Sequence, residues 1–553
     1  SEAANQDPPS SVELKPKSEW KLLGKPQKRV DLVGKVTGTA GFGIDVDLPD
    51  MLYGTVKMSP RIGAKAASFD DTATLQVPGV VKVVPIDTPT GSGFGIVAEN
   101  TWAAFKGAEA LDVEWEAAPY PADSEGQFAV LEEALGKAAD FSLRDDGDVE
   151  IAFADAPQEE VLQAEYRVPY LAHACMEPMN ATAQWKNGRL ELWAPNQSPT
   201  LLQMITAPLV GVDADEVKVH TTYLGGGFGR RAEADFPAYA VLIAKETDGR
   251  PVKVTWTREE DTQHDAYRPA AICRARARLV AGDVPSAIDM DVASTSVIQS
   301  VLRRTFPSIS PMGPDKTLTE GAHDQPCKFD NYRVSGHVAD LAIPAGFWRS
   351  VGNSYNSFFH ECFLDEIAHA SKIDPLDLRL KAMADYPAAT GVLKRVAEMA
   401  GWGYKLPAGR GMGIAHTLSF GSWVAEIVQV RDGEDGMAIE KVWCAVDIGE
   451  ALDPDIIKAQ MMSGIVFGLS SAVGQEITFA DGMVEQSNFH DFDALRMNQC
   501  PDIEVDVLET YHRMGGAGEP GTPPSVPALA NAVFAATGKR VRTLPLNREI
   551  AFA

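Results

Sequence analysis

The stretch Gly515-Gly516-Ala517-Gly518-Glu519-Pro520-Gly521 places a single carboxylate in a loop with almost no other side chains. Alternating apolar residues over 503–508 predict a strand before this loop. The apolar run 526–537, with Pro527 in its first turn and Gly538 at its end, predicts a helix after it. Glycines let a ligand approach the backbone closely, and a helix N-terminus favours nearby negative charge. The stretch predicts a carboxylate beside room for a bulky ligand, and it leaves open the alternative of a solvated turn.

Composition limits the classes of protein to which the chain can belong. Its 553 residues carry a formal net charge of −27 and are 45% hydrophobic, which predicts about two to four domains with large cores. The acidity argues against a nucleic-acid partner, because phosphate binding needs a basic surface. No run of about 18 apolar residues is present, so we expect no membrane-spanning segment.

The N-terminal residues 1–27 are polar, include Pro8, Pro9 and Pro16, and carry no secretory signal. They resemble an interdomain linker. We therefore expect the chain to be one piece of a larger polypeptide, and a partner chain to supply the missing part.

The cysteines do not suggest a metal or cluster site. None of the six forms a C-x-x-C pair, so we expect mostly buried thiols and place any redox clusters elsewhere. Alternation puts His173, Cys175 and Glu177 on one strand face, which is compatible with a metal site. The neighbouring Met176 and Pro178 indicate that the strand ends here, and no fourth ligand is evident. We assign no metal ligand.

A second glycine-rich loop, Gly225-Gly226-Gly227-Phe228-Gly229, is followed by Arg230 and Arg231. A strand over 216–224 and a helix over 235–245 are predicted around it, and this order is typical of a turn that binds anions. It is neither a dinucleotide fingerprint nor a P-loop, since Arg230 replaces the third glycine and no Gly-Lys-Ser/Thr follows. The two arginines favour a phosphate group, and a tight close-packed turn is the alternative.

Together the two loops resemble the large subunit of the molybdenum hydroxylases, the xanthine dehydrogenase and aldehyde oxidase family. The resemblance extends over roughly residues 28–550, and its isoquinoline oxidoreductase branch is the most similar. The supporting segments are Arg29-Val30-Asp31, Lys35 to Ala40, Asp365 to Ala368, Ile373 to Arg379, Trp348 to Gly352, Asp447 to Gly449 and Asp453-Pro454.

This resemblance implies an α+β fold in which a small α/β hammerhead domain is followed by two large α+β molybdopterin-binding domains. The expected division is an N-terminal extension over 1–27, the hammerhead domain over 28–120, a linker with one helix over 121–148, and molybdopterin-binding domains over 149–385 and 386–553.

The resemblance also implies a cofactor, molybdopterin cytosine dinucleotide, whose Mo carries oxo, sulfido and hydroxide ligands and is held by the dithiolene. It implies that Glu519 is the general base and that Arg349 orients the substrate. The cofactor-binding residues implied are Gln197, Gly225, Gly226, Gly227, Phe228, Gly229, Arg230, Gln460, Gly516, Ala517 and Gly518.

The reaction implied is hydroxylation of an aldehyde or an N-heteroaromatic ring, with electrons passing to a small iron–sulfur subunit and then to an acceptor such as a cytochrome. The family's Gly-Gln-Gly stretch is absent here, so we expect a separate chain to supply that cofactor-binding segment. The resemblance places the protein in the periplasm or cell envelope. The sequence leaves open a cofactor-free structural homologue and an acidic binding protein.

Overall fold

The computed structural model describes residues 5–553, so the first four residues of the expected N-terminal extension lie outside the described residues. The helices are α1 (Leu32–Thr37), α2 (Thr72–Leu75), α3 (Thr101–Ala110), α4 (Ser124–Leu135), α5 (Val149–Ala154), α6 (Pro199–Val210), α7 (Asp235–Ala244), α8 (Arg258–Gln263), α9 (Val297–Thr305), α10 (Asn353–Ser371), α11 (Pro375–Ala382), α12 (Pro387–Ala400), α13 (Pro454–Val473) and α14 (Ser525–Thr537).

The strands are β1 (Leu52–Met58), β2 (Ala66–Asp70), β3 (Val80–Thr88), β4 (Gly91–Ala98), β5 (Asp112–Trp115), β6 (Phe141–Asp146), β7 (Val161–Val168), β8 (Asn180–Lys186), β9 (Arg189–Ala194), β10 (Val217–Thr221), β11 (Val252–Thr255), β12 (Ala271–Arg278), β13 (Ala287–Ser294), β14 (Asn331–Val338), β15 (Arg410–Ser419), β16 (Ser422–Gly433), β17 (Gly436–Asp447), β18 (Phe479–Ala480), β19 (Met483–Val484) and β20 (Asp502–Leu508). Helices and mixed sheets alternate along the chain, which confirms the expected mixture of α and β structure.

A seven-stranded sheet with the order β10-β9-β8-β11-β1-β4-β3 carries the first glycine-rich loop. β1 pairs in parallel with β11 and antiparallel with β4. Strands from 28–120 and from 149–385 therefore share one sheet, and the hammerhead arrangement and domain boundaries stay predictions. The almost wholly buried α7 packs against β8, which fixes the position at which loop 225–229 enters the helix.

A five-stranded sheet with the order β6-β14-β13-β12-β7 packs against α10. Its edge strand β6 lies inside residues 121–148 and pairs antiparallel with β14. The prediction of a linker with one helix is therefore incomplete, since this segment contains both α4 and a strand. The sequence FSLRDD of β6 lacks the regular apolar alternation of a half-buried strand, so local pattern does not reveal it.

A four-stranded sheet with the order β15-β16-β17-β20 carries the second glycine-rich loop. β20 and α14 confirm the strand and helix predicted on either side of residues 515–521. α14 lies close on β15, because a Cβ at Gly413 would overlap the backbone of Ala532. This close contact fixes the helix that follows Glu519.

Other elements predicted from periodicity are present. Phe359, Cys362, Phe363 and Ile367 recur at helical spacing and predict a helix over 358–371, which α10 includes. The carboxylate of Asp374 caps α11 by accepting the Leu376 N–H at 2.8 Å. Five cysteines are buried and Cys500 is exposed, which confirms the expectation of mostly buried thiols.

Two segments differ from what the sequence predicts: the N-terminal extension and the apolar helix α13. In the extension, the Gly24 N–H donates to the carbonyl of Leu452 at 2.8 Å, and Lys17 pairs with Glu509. Within residues 5–553, α13 is long and apolar enough to cross a membrane by length and composition, although no such segment is expected from the sequence. Since 56% of its apolar window is buried inside the protein, α13 has the burial typical of a core helix.

Candidate active site

The first glycine-rich loop, residues 225–229, connects β10 to α7 through a strained turn. Gly226, Phe228 and Gly229 have positive φ angles of 103°, 54° and 106°. At the non-glycine residue Phe228 such a φ costs about 1–3 kcal/mol. A Cβ at Gly229 would overlap the carbonyl oxygen of Phe347, so this position requires glycine. The loop is thereby held directly against the segment that begins at Phe347.

Two side chains bind the ends of this loop. The Gly225 N–H donates to the Glu177 carboxylate at 2.8 Å, and the Gly229 N–H donates to Oε1 of Gln197 at 3.2 Å. The N–H groups of residues 226–228 have no acceptor within residues 5–553. Neighbouring backbone N–H groups in such a turn form a concavity for anions or oxygen ligands, as the sequence predicts.

The two arginines after the loop do not supply free positive charge. Arg230 is buried and donates from both terminal nitrogens to Asp235, at 2.8 and 2.7 Å, while its Nε lies 3.0 Å from Asp265. Arg231 is buried and lies 3.0 Å from the Glu177 carboxylate. Free positive charge on these arginines therefore gives no support to the interpretation that they favour a phosphate, because internal carboxylates pair with both. Arg230 supports the loop from behind, and nothing in its contacts supports the predicted cofactor-binding role.

The alternating residues before the loop also have internal partners. Nδ1 of His173 lies 2.9 Å from Asp265, Glu177 holds Gly225, and burial raises the pKa of the Cys175 thiol to about 12. In the described part of the chain, no three His, Cys, Asp or Glu side chains are arranged to hold a metal ion. These residues pack under the loop.

The second loop holds Glu519 at a junction with a third segment. The Ser350 N–H donates to Oε1 of Glu519 at 3.0 Å, and the Ser350 hydroxyl donates to the Glu519 carbonyl at 2.8 Å. Oε2 of Glu519 has no hydrogen-bond partner within residues 5–553. A Cβ at Gly518 would meet no atom within 4 Å. The Ser350 N–H therefore fixes Oε1 of Glu519, while Oε2 is free to accept a hydrogen bond or a proton from a ligand, and open space lies beside Gly518.

Arg349 connects the second loop to α13. Its Nε donates to the Gly518 carbonyl at 2.9 Å, Nη1 donates to the Ser463 hydroxyl at 3.0 Å, and Nη2 donates to Oε1 of Gln460 at 3.2 Å. Burial lowers the pKa of Arg349 to about 10, and the charge of Glu519 opposes this shift. The guanidinium is still charged at neutral pH, but its donors are used within the protein. The structure thus gives Arg349 a bridging role, whereas the sequence predicts contact with substrate.

An aromatic stack joins the two loops through α13. The ring of Phe467 lies 4.7 Å from that of Phe228 and 4.6 Å from that of Trp348, and both pairs are stacked. The Trp348 indole N–H donates to the carbonyl of Ala172 at 3.1 Å. Phe228 of the first loop is therefore fixed relative to the segment that holds Glu519.

The structure brings together sequence-predicted residues from four distant segments: Gln197, the 225–229 loop, Gln460 and residues 516–519. Sequence reasoning missed Ser350, Ser463 and Phe467. Ser350 acts mainly through its backbone N–H and Phe467 looks like any apolar helix residue, so neither carries a local signal. Gly516 and Ala517 belong to the same loop as Glu519, and the Gly516 N–H donates to the Phe420 carbonyl at 2.8 Å.

The fold and this site define a protein that binds a molybdopterin cofactor. Residues 133–383 and 365–501 each match a family described as molybdopterin cofactor-binding domain. The unused N–H groups of residues 226–228 and the open space beside Gly518 fit a bulky group rich in oxygen atoms.

Two curated relatives are similar over nearly the whole chain. Isoquinoline 1-oxidoreductase subunit beta from Brevundimonas diminuta is 32% identical, over 98% of this chain and 70% of the relative. Membrane-bound aldehyde dehydrogenase [pyrroloquinoline-quinone] from Gluconacetobacter polyoxogenes is also 32% identical, over 97% of this chain and 73% of the relative. This chain therefore spans about 70% of the length of these relatives.

A solved structure has the same fold at low sequence identity. Quinoline 2-oxidoreductase from Pseudomonas putida 86 superposes with a TM-score of 0.78 at 14% identity, over 95% of this chain and 97% of that chain. The chain belongs to the molybdenum hydroxylase family, as a large, molybdopterin-binding subunit. It is accordingly a molybdenum-dependent oxidoreductase.

Proposed function

We propose that this chain is the catalytic subunit of an enzyme that hydroxylates an aldehyde or an N-heteroaromatic ring with oxygen derived from water. The observation that carries the proposal is the position of Glu519, a carboxylate in the second glycine-rich loop with one oxygen held by the Ser350 N–H at 3.0 Å and open space beside the preceding Gly518. The balanced reaction converts a substrate C–H and one water into C–OH, two protons and two electrons. It needs a proton acceptor beside the water-derived oxygen that attacks the substrate carbon, and a redox centre that takes the two electrons leaving with the carbon-bound hydrogen.

The cofactor that we propose is molybdopterin cytosine dinucleotide with oxo, sulfido and hydroxide ligands on Mo. When bound, it supplies the two-electron redox centre of the reaction. The residues that would hold it are Gln197 and the N–H groups of 226–228 on one side, and Gly516, Ala517 and Gly518 on the other. This assignment is supported by the unused N–H groups and by the open space beside Gly518.

Glu519 is the general base in this proposal. Its Oε1 accepts the Ser350 N–H, which fixes the carboxylate orientation, and its Oε2 is left to accept a proton as oxygen is added to the substrate. A general base must lie within about 3 Å of the proton that it abstracts. Two hydrogen bonds join Ser350 to Glu519, one to the side chain and one to the backbone carbonyl, and they supply the rigidity that such positioning requires.

Arg349 and the aromatic stack keep the base in place. Arg349 binds the carbonyl of Gly518, the residue directly before the base. Phe467 packs between Phe228 and Trp348 and so connects the first loop to the turn that holds the base. These groups position the carboxylate and the loop without taking part in proton transfer.

The electron route and location are also proposals. We infer a small iron–sulfur subunit as electron acceptor and a final acceptor such as a cytochrome. One relative is named as a subunit beta, and this supports a multi-chain enzyme. A periplasmic or cell-envelope location rests on resemblance to the isoquinoline oxidoreductase branch.

The test uses the intact complex purified from its native host. We expect molybdenum close to one atom per chain, a cytidine nucleotide released by acid, and turnover of at least one aldehyde or N-heteroaromatic compound with an artificial electron acceptor. A complex with molybdenum and an adenine or guanine nucleotide would correct the cofactor form alone. An intact complex with neither molybdenum nor a nucleotide would refute the proposed function and favour a cofactor-free homologue.

A further inference from the structure

The turn that holds Glu519 has an unusual backbone. Ser350 and Val351 are consecutive non-glycine residues with positive φ angles of 74° and 46°. The Val351 N–H donates to the Trp348 carbonyl at 2.7 Å, and a Cβ at Gly352 would overlap the carbonyl oxygen of Thr317. Packing therefore holds a conformation that L-residues rarely adopt. Such strained turns direct neighbouring backbone N–H groups toward negatively charged or oxygen-bearing partners.

Two carboxyl groups use this one turn. The Ser350 N–H donates to Glu519, and the Gly352 N–H, two residues later, donates to Oε1 of Glu320 at 3.0 Å. Glu320 comes from the segment between β13 and β14, and its own backbone carbonyl accepts the Asn356 side-chain amide at 2.9 Å. Residues 320 and 519 are far apart in the chain, and only the 350–352 turn brings their side chains to one place.

The surroundings of Glu320 are acidic. Burial raises the pKa of Glu320 to about 8, the Gly352 N–H opposes this shift, and nearby carboxylates add to it. The titratable groups that act on it or respond to it are the carboxyls of Asp315, Asp324 and Glu519 and the phenol of Tyr355. Arg349, the nearest cation on the turn, instead uses its donors on Gly518, Ser463 and Gln460.

We propose that Glu320 is a positioning residue of the active site, the second member of a carboxyl pair that the 350–352 turn holds together with Glu519. This proposal rests on the role of Glu519 as base. While Glu320 is neutral, the turn carries one negative charge and the Gly352 N–H has a neutral acceptor. When Glu320 ionises, a second negative charge appears on the turn, and its repulsion of the Glu519 carboxylate weakens the fixed orientation of the base. The enzyme should then lose activity on the alkaline side.

The test is the pH profile of kcat/KM for the molybdenum-loaded complex carrying Glu320→Gln. Glutamine keeps an oxygen for the Gly352 N–H but cannot ionise. We expect the wild type to lose at least threefold between pH 7 and about pH 9.5 with a midpoint near 8, and the variant to lack this alkaline limb. An alkaline limb in Glu320→Gln that matches the wild type would overturn the proposal.

Asp324→Asn is the second variant, and it leaves both Glu320 and the turn in place. Asp324 accepts the Gly321 N–H at 2.8 Å, and its charge is one that raises the pKa of Glu320. Removing that charge should move the alkaline limb to lower pH without abolishing it. An unmoved limb would contradict the assignment even if Glu320→Gln fails to fold.

Infrared titration of the protonated carboxyl band gives a readout that does not depend on turnover. We expect the wild type to show a band that disappears with a midpoint near pH 8, and Glu320→Gln to lack it. The same band in the variant would overturn the proposal. Glu519→Gln separates the two hypotheses: if it retains full turnover, the base assignment fails, whereas an inactive Glu519→Gln with an unchanged Glu320→Gln profile refutes only the role of Glu320.

Discussion

Replacing Glu519 by Gln removes the proposed base and leaves the surrounding contacts in place. The glutamine carbonyl can still accept the Ser350 N–H, which lies 3.0 Å from the carboxylate in the wild type. The Ser350 hydroxyl binds the backbone carbonyl of residue 519, so that contact does not depend on the side chain. We therefore expect a folded protein that retains its molybdenum.

The expected loss of rate follows from the chemistry of the lost group. General acid–base catalysis contributes about 10²–10⁴-fold, and each tenfold change corresponds to about 1.36 kcal/mol of barrier. The variant should lose about 3–5.5 kcal/mol of transition-state stabilisation, seen as a fall in kcat. Arg349 loses a neighbouring negative charge that supports its ionisation, but its contacts with Gly518, Ser463 and Gln460 remain available.

The assay measures turnover with an artificial electron acceptor, normalised to molybdenum content. Glu504→Gln is the matched control, since Glu504 lies on β20 and pairs with Lys441 at 3.0 Å on the protein surface. The control should keep wild-type turnover. A Glu519→Gln enzyme with full molybdenum and a rate within about threefold of wild type would refute the assignment of Glu519 as the base, because loss of a general base lowers the rate by more than that. Loss of molybdenum together with activity would instead assign Glu519 to cofactor retention.

Two further predictions concern stability and loop shape. Gly229→Ala introduces a Cβ that overlaps the Phe347 carbonyl at a φ of 106°, so it should cost about 2–5 kcal/mol from strain and overpacking and lower the molybdenum content; a wild-type melting temperature and metal content would contradict this. Glu426 is fully buried, and burial raises its pKa well above the usual value, a shift that hydrogen bonding by the Cys444 thiol opposes. Because the folded-state pKa exceeds the unfolded one, the contribution of Glu426 to stability should fall as pH rises above about 4.3, by up to about 1.4 kcal/mol per pH unit. The melting temperature of the wild type relative to that of Glu426→Gln should therefore fall between pH 4 and 8, and a difference that does not change with pH would refute this.

The elements on both sides of the site could be predicted because their signals are local. The strand and helix around residues 515–521 and the helix after 225–229 have clear apolar periodicity and glycine or proline boundaries. β6, with the sequence FSLRDD, has no such pattern. It is stabilised as a strand by pairing with β14, which lies far away in the sequence. The two arginines after the first loop show a similar limit. Their sequence suggests free positive charge, and only tertiary packing reveals Asp235, Asp265 and Glu177 as their partners.

The chemistry of the two loops is local to the sequence: glycines that permit positive φ and close approach, and one glutamate among them. The orientation and surroundings of that glutamate depend on the folded protein. Ser350 and Glu519 are 169 residues apart, and Phe467 joins Phe228 to Trp348 from a third segment. Backbone propensity and periodicity depend on neighbours in the chain, whereas a carboxylate's orientation and charge depend on groups brought near by packing. For that reason a carboxylate beside open space could be predicted from residues 515–521, while its hydrogen-bond donor, Ser350, and its acidic neighbour, Glu320, required the folded protein.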